Sequence, residues 1–115
     1  MFEIKTLNDW QKIKSDQKNN KEIILFKYSP ICSVSFTAGR ILEEWLNNNN
    51  VDTNFIAAKI NVIESREVSN NVERETGIRH ESPQIIWINS KGEVKWKESH
   101  FGITESNLNK QLTSA

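Results

Sequence analysis

The sequence is poor in several residue types: one cysteine, one methionine, two prolines and four glycines in 115 residues. With a single cysteine no intramolecular disulfide can form, which excludes a disulfide-stapled secreted scaffold. One Cys and two His are also too few to build a structural zinc site on cysteine. If the thiol has chemistry, its partner sulfur must arrive on another molecule. Charge of one sign is lacking as well, since fifteen Lys+Arg balance fifteen Asp+Glu. No global electropositive field exists to hold nucleic acid or an anionic membrane, and neither is expected as a partner. No apolar run is longer than the four residues Ile23 to Phe26, too short to span a bilayer. The opening Met-Phe-Glu-Ile-Lys-Thr lacks the basic-then-apolar build of a signal peptide, so a cytoplasmic location is expected.

What is present is a globular mix, 37% hydrophobic and 26% charged. The length suits one domain over residues 1–115, able to close a hydrophobic core unaided. Thr6 and Asp9 have capping-box form, with Asp in place of Glu, and Leu7, Trp10 and Ile13 follow at helical spacing. Ile23-Ile24-Leu25-Phe26 predicts a strand buried on both faces. Val34, Ala38, Ile41, Leu42, Trp45 and Leu46 recur as the clearest amphipathic helix in the chain. The four asparagines Asn47 to Asn50 read as its end and a turn. A second strand is expected over Phe55 to Val62, and a helix over Glu64 to Thr76 stopped by Gly77. Ile85 to Ile88 and Glu93 to Lys97 flank Asn-Ser-Lys-Gly as a β-hairpin. A last helix starts at Thr104 and carries Leu108 and Leu112, and a short strand fits at Phe2 to Ile4. The four Trp fall on apolar faces and are expected to pack in the core or at its edge. A βαβ unit followed by a ββα unit makes an α/β three-layer sandwich, a mixed central sheet flanked by helices. Thioredoxin-like domains run in this order.

Cys32 sits between the buried strand and the strongest helix, in Lys27-Tyr28-Ser29-Pro30-Ile31-Cys32-Ser33-Val34-Ser35. A lone cysteine is often a small buried hydrophobe. This one, however, occupies a strand-to-helix corner at the carboxyl edge of the sheet, where α/β sites form. The helix also directs free N–H groups and a partial positive charge at the sulfur. A helix terminus contributes about 0.3–1 kcal/mol, up to ~2 when partly buried, enough to bring a thiol from about 8.5 to about 7. That makes a usable nucleophile, because attack is fastest when the thiol pKa lies near ambient pH. Ser33 keeps a backbone N–H that can point at the sulfur. Ser35 stands where a Cys-x-x-Cys protein has its resolving thiol, so its hydroxyl can hydrogen-bond the thiolate but form no disulfide. It equally suits an ordinary first-turn helix serine.

The second feature is Arg79-His80-Glu81-Ser82-Pro83-Gln84, directly before the hairpin. A trans proline opening an edge strand has the higher base rate. In thioredoxin-like domains this point carries a cis proline facing the catalytic thiol, leaving the Ser82 backbone to pair with an extended substrate strand. His80 either orients this turn or is solvated.

Leu-Phe-Lys-Tyr-Ser before Cys32, Cys-Ser-Val-Ser from Cys32, Asn-Val-Ile-Glu-Ser-Arg-Glu-Val-Ser-Asn at 61–70 and Thr-Gly-Ile-Arg-His-Glu-Ser-Pro-Gln at 76–84 resemble the monothiol bacilliredoxin family. Ser99-His100 followed by Ile103-Thr104 fits as well, so the likeness spans roughly residues 20 to 113. The resemblance implies a thioredoxin-like fold and a cytosolic role in bacteria that use bacillithiol, a cysteine–glucosamine–malate thiol. It also implies a co-substrate, bacillithiol, and partners, S-bacillithiolated proteins from which Cys32 removes that thiol. Ser33 replaces the proline of many relatives and Val34 the more usual isoleucine, changes that spare the nucleophile. Bacillithiol has two malate carboxylates. By analogy with the corner that holds a glutathione carboxylate in glutaredoxins, the backbone of Gly102, Thr104 and Glu105 is a candidate anion cradle, with His100 or Lys27 adding charge. Thr104 as a plain helix cap and His100 as a plain loop residue are the alternatives, and the Glu105 carboxylate counts against a cradle.

Two other functions stay open. Cys32-x-x-Ser35 has the outline of monothiol glutaredoxins that carry iron–sulfur clusters, although the glycine after the cysteine is absent. A non-catalytic thioredoxin-like binding module would use only the Ser82-Pro83 edge. Peroxiredoxin chemistry is disfavoured by Ser29, where those proteins have Thr. A Cys-x5-Arg phosphatase loop is disfavoured by Ala38.

Overall fold

The computed structural model describes residues 1–17, 20–49 and 55–113. Its elements are β1 (Phe2–Glu3), α1 (Leu7–Asp16), β2 (Glu22–Tyr28), α2 (Ser33–Asn49), β3 (Phe55–Asn61), α3 (Arg66–Thr76), β4 (Gln84–Ile88), β5 (Val94–Ser99) and α4 (Glu105–Thr113). A 3-10 turn, His100–Gly102, separates the last two. The sheet order is β1-β3-β2-β4-β5, with β1, β3 and β2 parallel and the β4–β5 hairpin antiparallel.

β2 lies in the middle of the sheet, and its apolar run is buried on both faces as the unbroken pattern predicts. Ile23 and Leu25 join one core with Trp10 and Ile13 of α1 and Val68 and Val72 of α3. Ile24 and Phe26 join the other, with Ala38, Leu42 and Trp45 of α2 and Leu108 of α4. Two helices therefore cover each face of one mixed sheet, the expected three layers. Trp10, Trp45 and Trp87 are buried, and each indole N–H finds an acceptor 2.8 Å away: Glu75, Asn109 and Glu22 respectively. A buried indole needs such a partner, because an unpaired N–H costs about 1–3 kcal/mol. Trp87 also makes T-shaped contacts with Trp45, Phe55 and Trp96, fastening α2 to the hairpin.

Local chemistry sets the boundaries. The capping box of Thr6 and Asp9 is formed in both directions. Helix α3 starts at Arg66 rather than Glu64, because Asn61 Oδ1 accepts the N–H groups of Ile63 and Glu64 at 3.0 Å and holds them in a turn. Gly77 ends the same helix in the left-handed region, at φ 71°. Helix α2 continues through Asn47 and Asn48 to Asn49, where the sequence suggests an end and turn. Leu46 packs on the core, and Asn49 Nδ2 donates to the Trp45 carbonyl at 2.8 Å. Asn50 lies outside the described residues. Of the two leucines of α4, Leu108 is buried and Leu112 is 39% exposed. No helix among the described residues is long and apolar enough to cross a membrane.

Candidate functional site

Where β2 ends, the chain turns through Ser29 to Ile31, and Cys32 N–H donates to the Ser29 carbonyl at 3.3 Å. Cys32 then caps α2, its carbonyl accepting the Phe36 N–H at 3.2 Å. A side chain at this capping position faces the N–H groups two and three residues on. The Ser35 N–H and then the Val34 N–H hold the Cys32 thiol below its ordinary pKa; burial opposes them, and the Ser35 hydroxyl adds the least. Cys32 is partly exposed. Ser33, expected to aim its N–H at the sulfur, does not. It is the first residue of the helix, and the donors that reach the cap come from the next two positions.

Ser35 is 2% exposed and joined to its surroundings on three sides. Its Oγ accepts the Ser29 N–H at 3.1 Å, supports the Cys32 sulfur, and lies 3.4 Å from Ser82 Oγ. Strand β4 brings Ser82 there by pairing with β2, with Gln84 opposite Lys27. The Ser82–Pro83 peptide is cis, and the Pro83 carbonyl accepts the His100 N–H at 3.0 Å. The thiol turn, the Ser82–Pro83 turn and the end of β5 thus meet at one edge of the sheet.

Other candidate residues are held elsewhere. His80 is tied to α3: its Nδ1 is 3.3 Å from Ser69 Oγ, and its N–H donates to the Glu73 carboxylate at 2.6 Å. Cover over part of the ring and the charge of Lys27 lower its pKa. Lys27 is fully buried, with Nζ donating to the Ser69 carbonyl at 3.0 Å. Burial brings its pKa down to about 8, partly offset by Glu73. Lys27 therefore cannot lend charge to a ligand at the surface, contrary to the sequence expectation. Beside it Gln84, 2% exposed, donates to the Arg79 carbonyl at 2.9 Å while its Oε1 has no partner among the described residues. This buried polar layer behind the Ser82–Pro83 turn escaped the sequence analysis. Its signal was a lysine on the same face as Ile23 and Leu25 in a strand buried on both sides.

The Gly102–Thr104 corner also departs from expectation. Thr104 Oγ1 accepts the Asn107 N–H at 3.1 Å, and Asn107 Nδ2 donates to the Gly102 carbonyl at 2.7 Å. The Glu98 side chain fills the space that a Cβ at Gly102 would need. A malate carboxylate placed there would meet the Glu98 carboxylate, so the corner is a capped helix start rather than an anion cradle. His100 is exposed and in the left-handed region at φ 53°.

A mixed sheet under four helices, with a lone capping thiol beside a cis-proline turn, places the chain in the thioredoxin-fold class. Solved thioredoxin-fold structures share this architecture. One aligns at TM-score 0.82 and 22% identity, covering 96% of this chain and 92% of its own. Thioredoxin from Fasciola hepatica aligns at 0.77 and 17%, covering 98% and 97%. Thioredoxin from Nicotiana alata aligns at 0.73 and 18%, covering 96% and 88%. Residues 2–108 match the family described as monothiol bacilliredoxin BrxC, and the chain belongs to that family.

Proposed function

We propose that the protein removes bacillithiol from mixed disulfides on proteins in the cytosol of a bacterium that makes this thiol. The observation that carries the reading is the partly exposed Cys32, with its pKa lowered by the N–H groups of Ser35 and Val34 and no second cysteine in the chain. Family membership supports it. The Cys32 thiolate attacks the bacillithiol sulfur of a protein–S–S–bacillithiol, and the protein leaves as a thiolate. Cys32 is now bacillithiolated. A second bacillithiol thiolate attacks the sulfur of the first, releasing bacillithiol disulfide and restoring the Cys32 thiolate. No net electrons are gained or lost by the protein, and concentrations and thiol pKa values set the direction. The Ser82 backbone beside the thiol is the edge against which an extended substrate segment pairs.

Intact-mass spectrometry tests this after mixing the reduced protein with a bacillithiolated test protein and, separately, a glutathionylated one. Transfer of the bacillithiol mass to Cys32, reversed by free bacillithiol and absent in Cys32→Ser, is the expected result. Transfer from the glutathione adduct alone keeps the mechanism and changes the co-substrate. No transfer from either ends the exchange reading.

A further inference from the structure

Cys32 lines a concavity between the first half of α2 and the β2–β3 surface, with Phe26, Tyr28 and Gly39 in its wall and Lys59, Arg40 and Glu43 at its charged positions. Lys59 is half-buried. Its Nζ stands 5.6 Å from the centre of the Tyr28 ring, and it has no ion-pair partner among the described residues. A cation over a ring face keeps its full charge, so Lys59 remains available to an anion. Arg40 is exposed, with Nη2 3.6 Å from Glu44, a surface pair weak enough to exchange for another carboxylate. Glu3 is opposite Lys59 in the β1–β3 register, but its carboxylate accepts the Tyr28 hydroxyl at 2.7 Å. Of the side chains that line the concavity two, Lys59 and Arg40, are cationic and one, Glu43, is acidic, with the Glu3 and Glu44 carboxylates just outside it.

The concavity on the other side of the α2 start differs. Val34, Ile41, Phe101 and His100 help to line it, and it has no lysine or arginine. Glu98 stands against Gly102 at that end, and Lys27 is sealed in the core. Lysine and arginine side chains therefore line the concavity that Cys32 shares, and none lines the one on the Phe101 side.

We infer that the concavity bounded by Lys59 and Arg40 seats the non-reacting dicarboxylate arm of the small thiol while its sulfur is bonded to Cys32. This rests on the exchange reading above and adds where the small thiol lies. The carboxylates engage Lys59 and Arg40, and the sugar lies against the Tyr28 ring. The apolar Phe101 side and the Ser82 edge are left to the protein partner, so the two halves of the incoming disulfide lie on opposite sides of Cys32.

The test uses one protein with a single surface cysteine, capped either by bacillithiol or by 2-mercaptoethanol, which has no anionic arm. Rates of cap transfer to Cys32 are read by acid quench and intact mass, and the ratio of the two rates is the measure. Replacing both cations (Lys59→Gln with Arg40→Gln) is expected to lower that ratio about five- to tenfold, the scale of two partly solvated ion pairs. Glu98→Gln is expected to leave the ratio where it was. An unchanged ratio in the double variant overturns the site, as does a higher ratio in Glu98→Gln, which would put the arm at Gly102. If the unaltered protein accepts neither cap, the exchange reading falls and the site with it. If it accepts both, with a ratio indifferent to Lys59 and Arg40, only the site falls.

Discussion

Ser35 Oγ and Ser82 Oγ are 3.4 Å apart, joining the thiol turn to the Ser82–Pro83 turn across 47 residues of chain. Ser35 has one hydroxyl proton for two neighbours, Ser82 Oγ and the Cys32 sulfur, while it accepts the Ser29 N–H. When Ser82 donates to Ser35, the Ser35 proton is free for the thiolate. The serine in the place of a resolving cysteine is thereby a support for the sulfur and a brace between two turns.

Ser35→Ala is accordingly expected to raise the Cys32 pKa and slow its alkylation at neutral pH. Two backbone N–H groups still face the sulfur, so the thiol stays below its ordinary value. The substitution also leaves the Ser29 N–H without its acceptor, costing about 1–3 kcal/mol of stability. A pH titration of thiolate absorbance checks the first effect and denaturant unfolding the second. An unshifted titration would remove the Ser35 hydroxyl, though not its backbone N–H, from the account of the thiol.

Lys27→Met is expected to stabilise the fold at neutral pH. The Lys27 pKa falls from 10.5 unfolded to about 8 folded, so the unfolded chain binds its proton more tightly. Stability from this group therefore rises with pH between about 8 and 10.5, and the full penalty applies below that window. Two and a half pKa units correspond to roughly 3 kcal/mol, an upper bound because Lys27 loses its bond to Ser69 in the variant. Urea unfolding at neutral pH and again at high pH should show an advantage for Lys27→Met that shrinks as the native lysine deprotonates. A variant less stable at neutral pH contradicts this.

The fold was readable because each element had its own local signal. The Thr6–Asp9 capping box, the unbroken Ile23 to Phe26 run, the α2 periodicity and the Gly77 stop all act within a few residues. They agree with the packing that follows. The site was legible in part. Cys32 stood at a corner that any strand–helix connection exposes, but which N–H groups face it depends on helical geometry one turn on. That geometry moved the role from Ser33 to Val34 and Ser35. The Glu98–Gly102 contact and the Lys27–Ser69 bond join distant stretches, and no spacing in the chain announces them. Asn47 to Asn49 show tertiary packing overriding a weak propensity, since Leu46 is held by the core.

Gly77→Ala should cost about 1 kcal/mol, because a Cβ is strained at φ 71°. Nothing lies within 4 Å of where that Cβ would be, so the loss is backbone strain and not a clash. Gly77→Asn should lose less, since asparagine tolerates the left-handed region. Thermal unfolding of the two variants orders them, and equal losses would argue for a steric cause.

His80 reports on the buried lysine behind the Ser82–Pro83 turn. Cover over part of its ring is the main reason its pKa is lowered, and the Lys27 charge adds to it, with Arg66 acting in the same direction and Glu73 and Glu81 opposing. A histidine with a lowered folded pKa is bound by protons more readily when unfolded. Its contribution to stability is therefore intact above the unfolded value of about 6.5 and lost as pH falls through the folded one. Acid should loosen the His80–Ser69 contact and, through it, the approach to Ser82–Pro83. Removing the charge in Lys27→Met should move the His80 titration upward, toward but not reaching the unfolded value, because the cover remains. An NMR titration of the imidazole protons in both proteins reads this directly. An upward shift places Lys27 and His80 in one electrostatic unit, whereas identical curves would show that the lysine charge does not reach the loop.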